Sequence, residues 1–157
     1  MSTETATDVE SDGFTALEPW QAGLVGGLVG GVIFGAMMSA MMTPVMEGAI
    51  PSMYGLEGGL AGWFFHMSHA AVLGVAFGAL LELTPLGDLA DSPPALVGSG
   101  LVYGIVLWAV LAVVVMPIWV MGLEAGIEAV PNVAVESLLG HAVYGAVLGA
   151  VAVFLTE

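Results

Sequence analysis

Pro19–Met46 reads PWQAGLVGGLVGGVIFGAMMSAMMTPVM, twenty-eight residues without one charged side chain. About 20 apolar residues suffice for a helix to cross a hydrocarbon core roughly 30 Å thick. The stretch also lacks the polar face that a helix on a soluble core presents to water. Three more acid-free runs follow: Gly58–Leu81 with 24 residues, Ser92–Leu123 with 32 and Ser137–Thr156 with 20. The spacing predicts helices over 21–43, 60–83, 95–120 and 137–155, joined by Gly-, Pro- and Glu-containing connections at 44–59, 84–94 and 121–136. The fold class that follows is all-α, a polytopic membrane four-helix bundle forming a single transmembrane domain over 18–157. Trp20, Trp63 and Trp119 stand where interfacial anchors belong. Residues 1–17 (MSTETATDVESDGFTAL) are polar and acidic and read as a disordered tail. They lack the basic n-region and short apolar h-region of a signal peptide, so the first helix is expected to be retained.

Composition removes whole classes of function. The chain has 157 residues, 59% of them hydrophobic, with 14 Asp and Glu, no Lys, no Arg and no Cys, for a net charge of −14. Its mean hydropathy is +1.02. Without lysine there is no Schiff-base chemistry. Without any cation there is no phosphate-gripping lysine or arginine finger, and nucleic acid is excluded as a partner. Without cysteine, disulfides, iron–sulfur clusters and thiol catalysis go as well. The expected partner is the lipid bilayer of a cytoplasmic membrane, crossed four times with both termini on one side. That side is taken as cytoplasmic, because nothing argues for exporting the tail and no Lys or Arg exists for the positive-inside rule. Fourteen like charges repel each other and anionic lipid. In molar salt the Debye length falls to about 3 Å, which removes that repulsion and points to a halophile, as in haloarchaea.

The chain also reads as a tandem duplication of one helical hairpin, with repeat one at 21–83 and repeat two at 95–155. A shift of 73 places Gly27 on Gly100, Gly31 on Gly104 and Pro44 on Pro117. A shift of 75 in each second helix places His66 on His141 and Ala71–Gly74 on Ala146–Gly149. Two helices per copy give both copies one orientation, so a pseudo-twofold axis along the membrane normal is expected.

Small residues supply the packing surface. Gly23, Gly27, Gly31, Gly35 and Ser39 form a stripe on the first helix, widened by Gly26 and Gly30. The others carry Gly74 and Gly78, Gly100 and Gly104, and Gly145 and Gly149. Glycine lets backbones touch where no hydrophobic drive separates lipid from helix. The first helix shows more small surface than one neighbour needs, which suggests a homo-oligomer or a larger membrane complex. Met37, Met38, Met41 and Met42 present thioethers that suit Cu(I), but read better as adaptable core filling.

The three histidines are the candidate site, since ionisable residues within a span are functional candidates by default. His66 and His69 share a face of the second helix, and His141 lies on the fourth. His66 and His141 sit one to two turns inside the span ends opposite the termini. One reading makes them neutral interfacial residues bonded to a carbonyl or water. A second makes His66 and His141 axial ligands of one haem b. A third gathers His66, His69 and His141 on a transition metal, with Glu47, Glu57 or Glu136 helping. No catalytic constellation is evident: Ser68 and His69 are adjacent and point apart, and Glu82 is near a helix end.

FFHMSHAAVLGVAFGALLE, VYGIVLWAVLAVVVMPIW and PNVAVESLLGHAVYGAVLGAV resemble segments of a family of small four-span membrane proteins of haloarchaea. The H-x-x-H element at His66–His69 and H-x-x-Y-G at His141–Gly145 carry the resemblance. It implies the membrane fold and the halophilic habitat, and no mechanism. Some of that family carry a histidine-kinase label, which this chain contradicts, having neither room for an ATP-binding domain nor a cation to meet phosphates. The expected function is a packing or accessory membrane component without catalysis. The alternatives are a haem-bearing electron carrier and a channel for a neutral solute.

Overall fold

The computed structural model describes residues 17–89 and 92–156, so the tail expected over 1–17 lies almost wholly outside the described residues. Four helices are long and apolar enough to cross a membrane: α1, Pro19–Met41; α2, Gly59–Leu83; α3, Pro93–Met121; and α4, Val135–Thr156. No strand occurs among the described residues. The acid-free runs place each helix end within about two residues of expectation. α1 starts on Pro19, whose missing N–H costs nothing in a first turn, and the Glu18 N–H donates to Gln21 Oε1 at 3.0 Å. Gly58 and Gly122 turn the chain at the loop end with positive φ, 91° and 80°.

Proline shapes that end of the molecule. Pro51 has no N–H for the Glu47 carbonyl, and Pro117 has none for the Val113 carbonyl. The backbone widens beside each into π-helical turns, Val45–Ala49 and Trp108–Val115. Loop amides take over the freed acceptors: Gly58 N–H donates to Glu47 O at 2.8 Å, and Asn132 N–H to Val113 O at 3.2 Å. In a lipid-facing protein a carbonyl left unpaired costs several kcal/mol, on the order of its desolvation penalty. The helix stops at Met41 ahead of Pro44 but runs through Pro117 to Met121. The two prolines that align at a shift of 73 therefore differ in their effect.

Glycine sets the packing. α1 lies against α2, α3 against α4, and α1 against α4. A Cβ on Gly27 would stand 2.9 Å from Gly74 Cα, and one on Gly100 would stand 2.9 Å from Gly149 Cα. Gly31 lies on Ala70, and Gly104 on the His141 carbonyl and Gly145. The second stripe of α1 is occupied too: Gly26 rests on Leu148 and Gly30 on Tyr144. The extra small surface that suggested an oligomer is thus taken up by α4 of the same chain.

The start of α1 and the end of α4 meet where Leu17 N–H donates to Leu155 O at 2.7 Å. Glu18, Glu47, Glu57, Glu82 and Glu136 are all exposed, and the sides of the helices present bare Leu60, Phe64, Val72 and Phe154. Apolar flanks with acids confined to the ends fit a multi-pass membrane protein.

Gly100→Ala is expected to destabilise the fold by about 1–3 kcal/mol, because the new methyl meets backbone that cannot yield. Gly98→Ala has nothing within 4 Å of its Cβ and should be neutral or stabilise by up to about 1 kcal/mol. Unfolding in mixed micelles followed by far-ultraviolet circular dichroism separates the two; equal losses would remove the close-contact account.

Candidate functional site

His66 lies two turns into α2 and is buried, continuing the Ala70, Gly74 and Gly78 face that meets α1. Its Nε2 donates to the Gly31 carbonyl of α1 at 2.8 Å. His141, two turns into α4, is half-buried, and its Nδ1 donates to the Ser137 carbonyl at 2.8 Å. A carbonyl only accepts, so each bond places the hydrogen. In the neutral rings the remaining nitrogens, Nδ1 of His66 and Nε2 of His141, are lone-pair acceptors. Phe34 of α1 joins the two imidazoles, with its ring edge-on to His66 at 5.5 Å and to His141 at 4.8 Å. It is seated in the notch that Gly140 leaves, where any Cβ would strike the ring.

His69 departs from this pair. Its Nε2 lies 2.6 Å from Tyr54 Oη, and Tyr54 stacks on Phe65 at 3.8 Å and 7°. Tyr54 belongs to the segment joining α1 to α2, which is itself tied to α3 by Trp119 Nε1–H donating to Met53 O at 3.1 Å.

All three histidines line one cavity of about 320 Å³, together with Leu73, Leu107 and Leu111. Its walls are otherwise almost entirely apolar. The cavity exists because the four seams are unequal. Three are closed by glycine or alanine, whereas α2 and α3 make no comparable approach. Tyr103 of α3 spans that fourth side, and Tyr144 of α4 reaches across the bundle to α2. Tyr103 Oη donates to Leu73 O, and Tyr144 Oη to Ala70 O, each at 2.8 Å. Tyr103 also packs on Phe77 with ring centroids 5.2 Å apart. The groove rim includes Val72 and Val115, both exposed on the outer surface. An adjoining cavity of about 320 Å³ reaches the loop end past Asn132, sharing Met42, Ala112 and Ser137 with the first.

The cofactor expectations fare unevenly against this geometry. Haem between His66 and His141 needs an open slot with a lone pair aimed across it from each side. Phe34 stands against both rings instead, and the His66 Nε2 is spent on Gly31. The residues as placed do not fit a bis-histidine haem. For a metal, no three His, Cys, Asp or Glu side chains gather as a ligand set among the described residues. His66, His69 and His141 share a wall without converging, and Glu47, Glu57 and Glu136 point to solvent. Met38 is buried as core and Met42 lines the cavity. Ser68 Oγ–H is engaged by the Phe64 carbonyl at 2.7 Å.

Phe34, Tyr54, Tyr103 and Tyr144 do not stand out as site residues in the sequence. For Tyr103 and Tyr144 a signal is present: a hydroxyl within an apolar span needs a partner. In comparisons with known proteins, no family model, no curated protein and no solved structure matches the chain.

Tyr103→Phe and Tyr144→Phe should each destabilise the bundle by about 0.6 kcal/mol and at most about 1.7, the range for hydrogen bonds between helices in lipid. The double variant should splay α2 from α3. Distances between spin labels at Val72 and Val110 report it, and an unchanged distance distribution would show that the tyrosines do not hold the groove.

Proposed function

We propose that this chain is a non-catalytic accessory component of a halophile's cytoplasmic membrane, and that it takes a small apolar molecule from the bilayer into the groove between α2 and α3. One observation carries the reading: an apolar cavity of ligand size, with polar groups on its wall, lies at the one seam that the helices leave open.

The tandem hairpin duplication supplies a reason for the open seam. Gly27 lies on Gly74 as Gly100 lies on Gly149, and Gly74 lies on the Gly23 carbonyl as Gly149 lies on that of Leu96. The first helices of the two copies align at a shift of 73 and the second helices at 75, so these contacts correspond pair for pair. Parallel copies of one hairpin would bring the second helix of each against the first helix of the other. At the α1–α4 seam Gly30 admits Tyr144. At the α2–α3 seam the corresponding residue is Tyr103, which props the helices apart instead. Ser99 and Tyr103, in place of Gly26 and Gly30 at the shift of 73, thus separate the open side from the closed one.

A partner transmembrane helix suits the groove less well. Close helix association in lipid uses small residues, and the groove wall presents Val72, Leu73, Leu107, Leu111 and Val115. A water-filled conduit is likewise disfavoured by walls of this character.

A long-chain alkyl diazirine photolysed with the protein in nanodiscs at molar salt tests the reading. Labelling is expected on Leu73 and the 107–116 stretch as well as on lipid-facing Phe154. In Ala112→Phe, which fills the cavity, the groove labels should fall at least about tenfold while the Phe154 label stays, the loss expected when a buried apolar contact of about 1.4 kcal/mol is removed. Equal groove labelling in both proteins, or no groove labelling in the wild type, would overturn it.

A further inference from the structure

We propose that the molecule held in the groove is an uncharged lipid alcohol or phenol, whose O–H donates to the free ring nitrogen of His66 or His141. The inference rests on the groove reading above and names the ligand class. Three constraints converge on it. First, the size and apolar lining of the cavity, about 320 Å³, suit a body of roughly 15–20 carbon and oxygen atoms. Second, the chain carries fourteen acids and no lysine or arginine. An anionic headgroup would meet no lysine or arginine and, with the wall histidines neutral, would be desolvated without a counter-charge, which disfavours phosphate esters and carboxylates. Third, the backbone fixes what the histidines ask for. Gly31 O and Ser137 O each take one N–H, so the nitrogen that remains on each neutral ring accepts and does not donate. Two ring acceptors on the wall beside the Ser137 hydroxyl, which both donates and accepts, favour a ligand group that does the same, and in an uncharged lipid that group is a hydroxyl.

The same logic disfavours a ketone, aldehyde or ether of equal size. Their oxygens only accept, and facing an imidazole lone pair they would leave both atoms unsatisfied. His69 stands apart from the pair, its Nε2 engaged by the Tyr54 hydroxyl. The adjoining cavity past Ser137 and Asn132 gives the polar end a route toward the loop side, while the apolar body stays between α2 and α3.

Competition against the alkyl diazirine on the wild-type protein tests the inference with one chain and four ends: farnesol, its methyl ether, the aldehyde farnesal and farnesyl phosphate. Farnesol is expected to displace groove labelling roughly tenfold more effectively than the ether or the aldehyde, the effect of one hydrogen bond, with the phosphate weakest. The preference for farnesol over the ether should shrink in His141→Phe and in His66→Phe, with the ether's own competition retained. The wild-type series is decisive without the variants, so one that fails to fold leaves the test intact. Equal displacement by alcohol and ether would overturn the hydroxyl assignment while leaving the groove reading intact. Phosphate competing as well as alcohol would overturn the charge argument. A groove that the diazirine labels but no farnesyl compound clears would overturn the ligand class, whereas a groove the diazirine never labels overturns the earlier reading itself.

Discussion

Backbone touching backbone at Gly27 and Gly74, and again at Gly100 and Gly149, is the constraint on which the remaining distances depend. Each contact leaves no room for a methyl group, so the interhelical separation in both hairpins is set by main-chain atoms and not by side-chain choice. Lipid offers apolar side chains the same environment inside the bundle and out, and close contact is what remains to favour association. Once the hairpins are that tight, His66 reaches the Gly31 carbonyl and the Tyr144 hydroxyl reaches that of Ala70. The polar groups sit where they do because glycine let the helices approach.

The same economy operates at the loop end. Proline at 51 and 117 frees two carbonyls, and in each case an amide from the following connection occupies the freed site. The first connection is therefore closed on itself by Gly58 N–H to Glu47 O and the last is tied to α3 by Asn132 N–H to Val113 O, and the first carries Tyr54 and Met53 to fixed places beside His69 and Trp119. A segment that reads in sequence as an interfacial loop becomes part of the cavity's surroundings through backbone hydrogen bonding, with no large apolar core of its own.

Much of this is legible in the amino-acid sequence, and what is not has a physical reason. The helices follow from the acid-free runs, because length and the absence of charge alone decide whether a segment suits a bilayer. The glycine stripes lie along the helix contacts, because a spacing of four keeps residues on one face. How many neighbours a stripe serves is a different matter: Gly26 and Gly30 lie on a second face, and whether that face meets another helix of the chain or another chain depends on the arrangement of hairpins. Phe34 shows the same limit. It is one apolar residue among many in the sequence, and only the crossing of α1 over α2 and α4 sets its ring against two imidazoles. The histidines are marked by rarity, yet which ring nitrogen remains available depends on carbonyls contributed by Gly31 and Ser137, one of them 35 residues away.

A bis-histidine haem and a hydroxyl-selecting groove draw on the same two residues, and the difference between them is one of tautomer and neighbours. An imidazole ligates a metal through a lone pair aimed at an open position. Here the nitrogens nearest backbone carbonyls are donors, the rings meet Phe34, and the open volume lies toward Leu73 and Leu111. Such an arrangement places two weak acceptors on the wall of an oily groove. Under the proposed function, a pair of this kind would orient a ligand by its one polar end with no charge on either partner. With Glu18, Glu47, Glu57, Glu82 and Glu136 exposed and neither lysine nor arginine in the chain, neutral hydrogen bonds are the polar chemistry that these histidines bring to the interior.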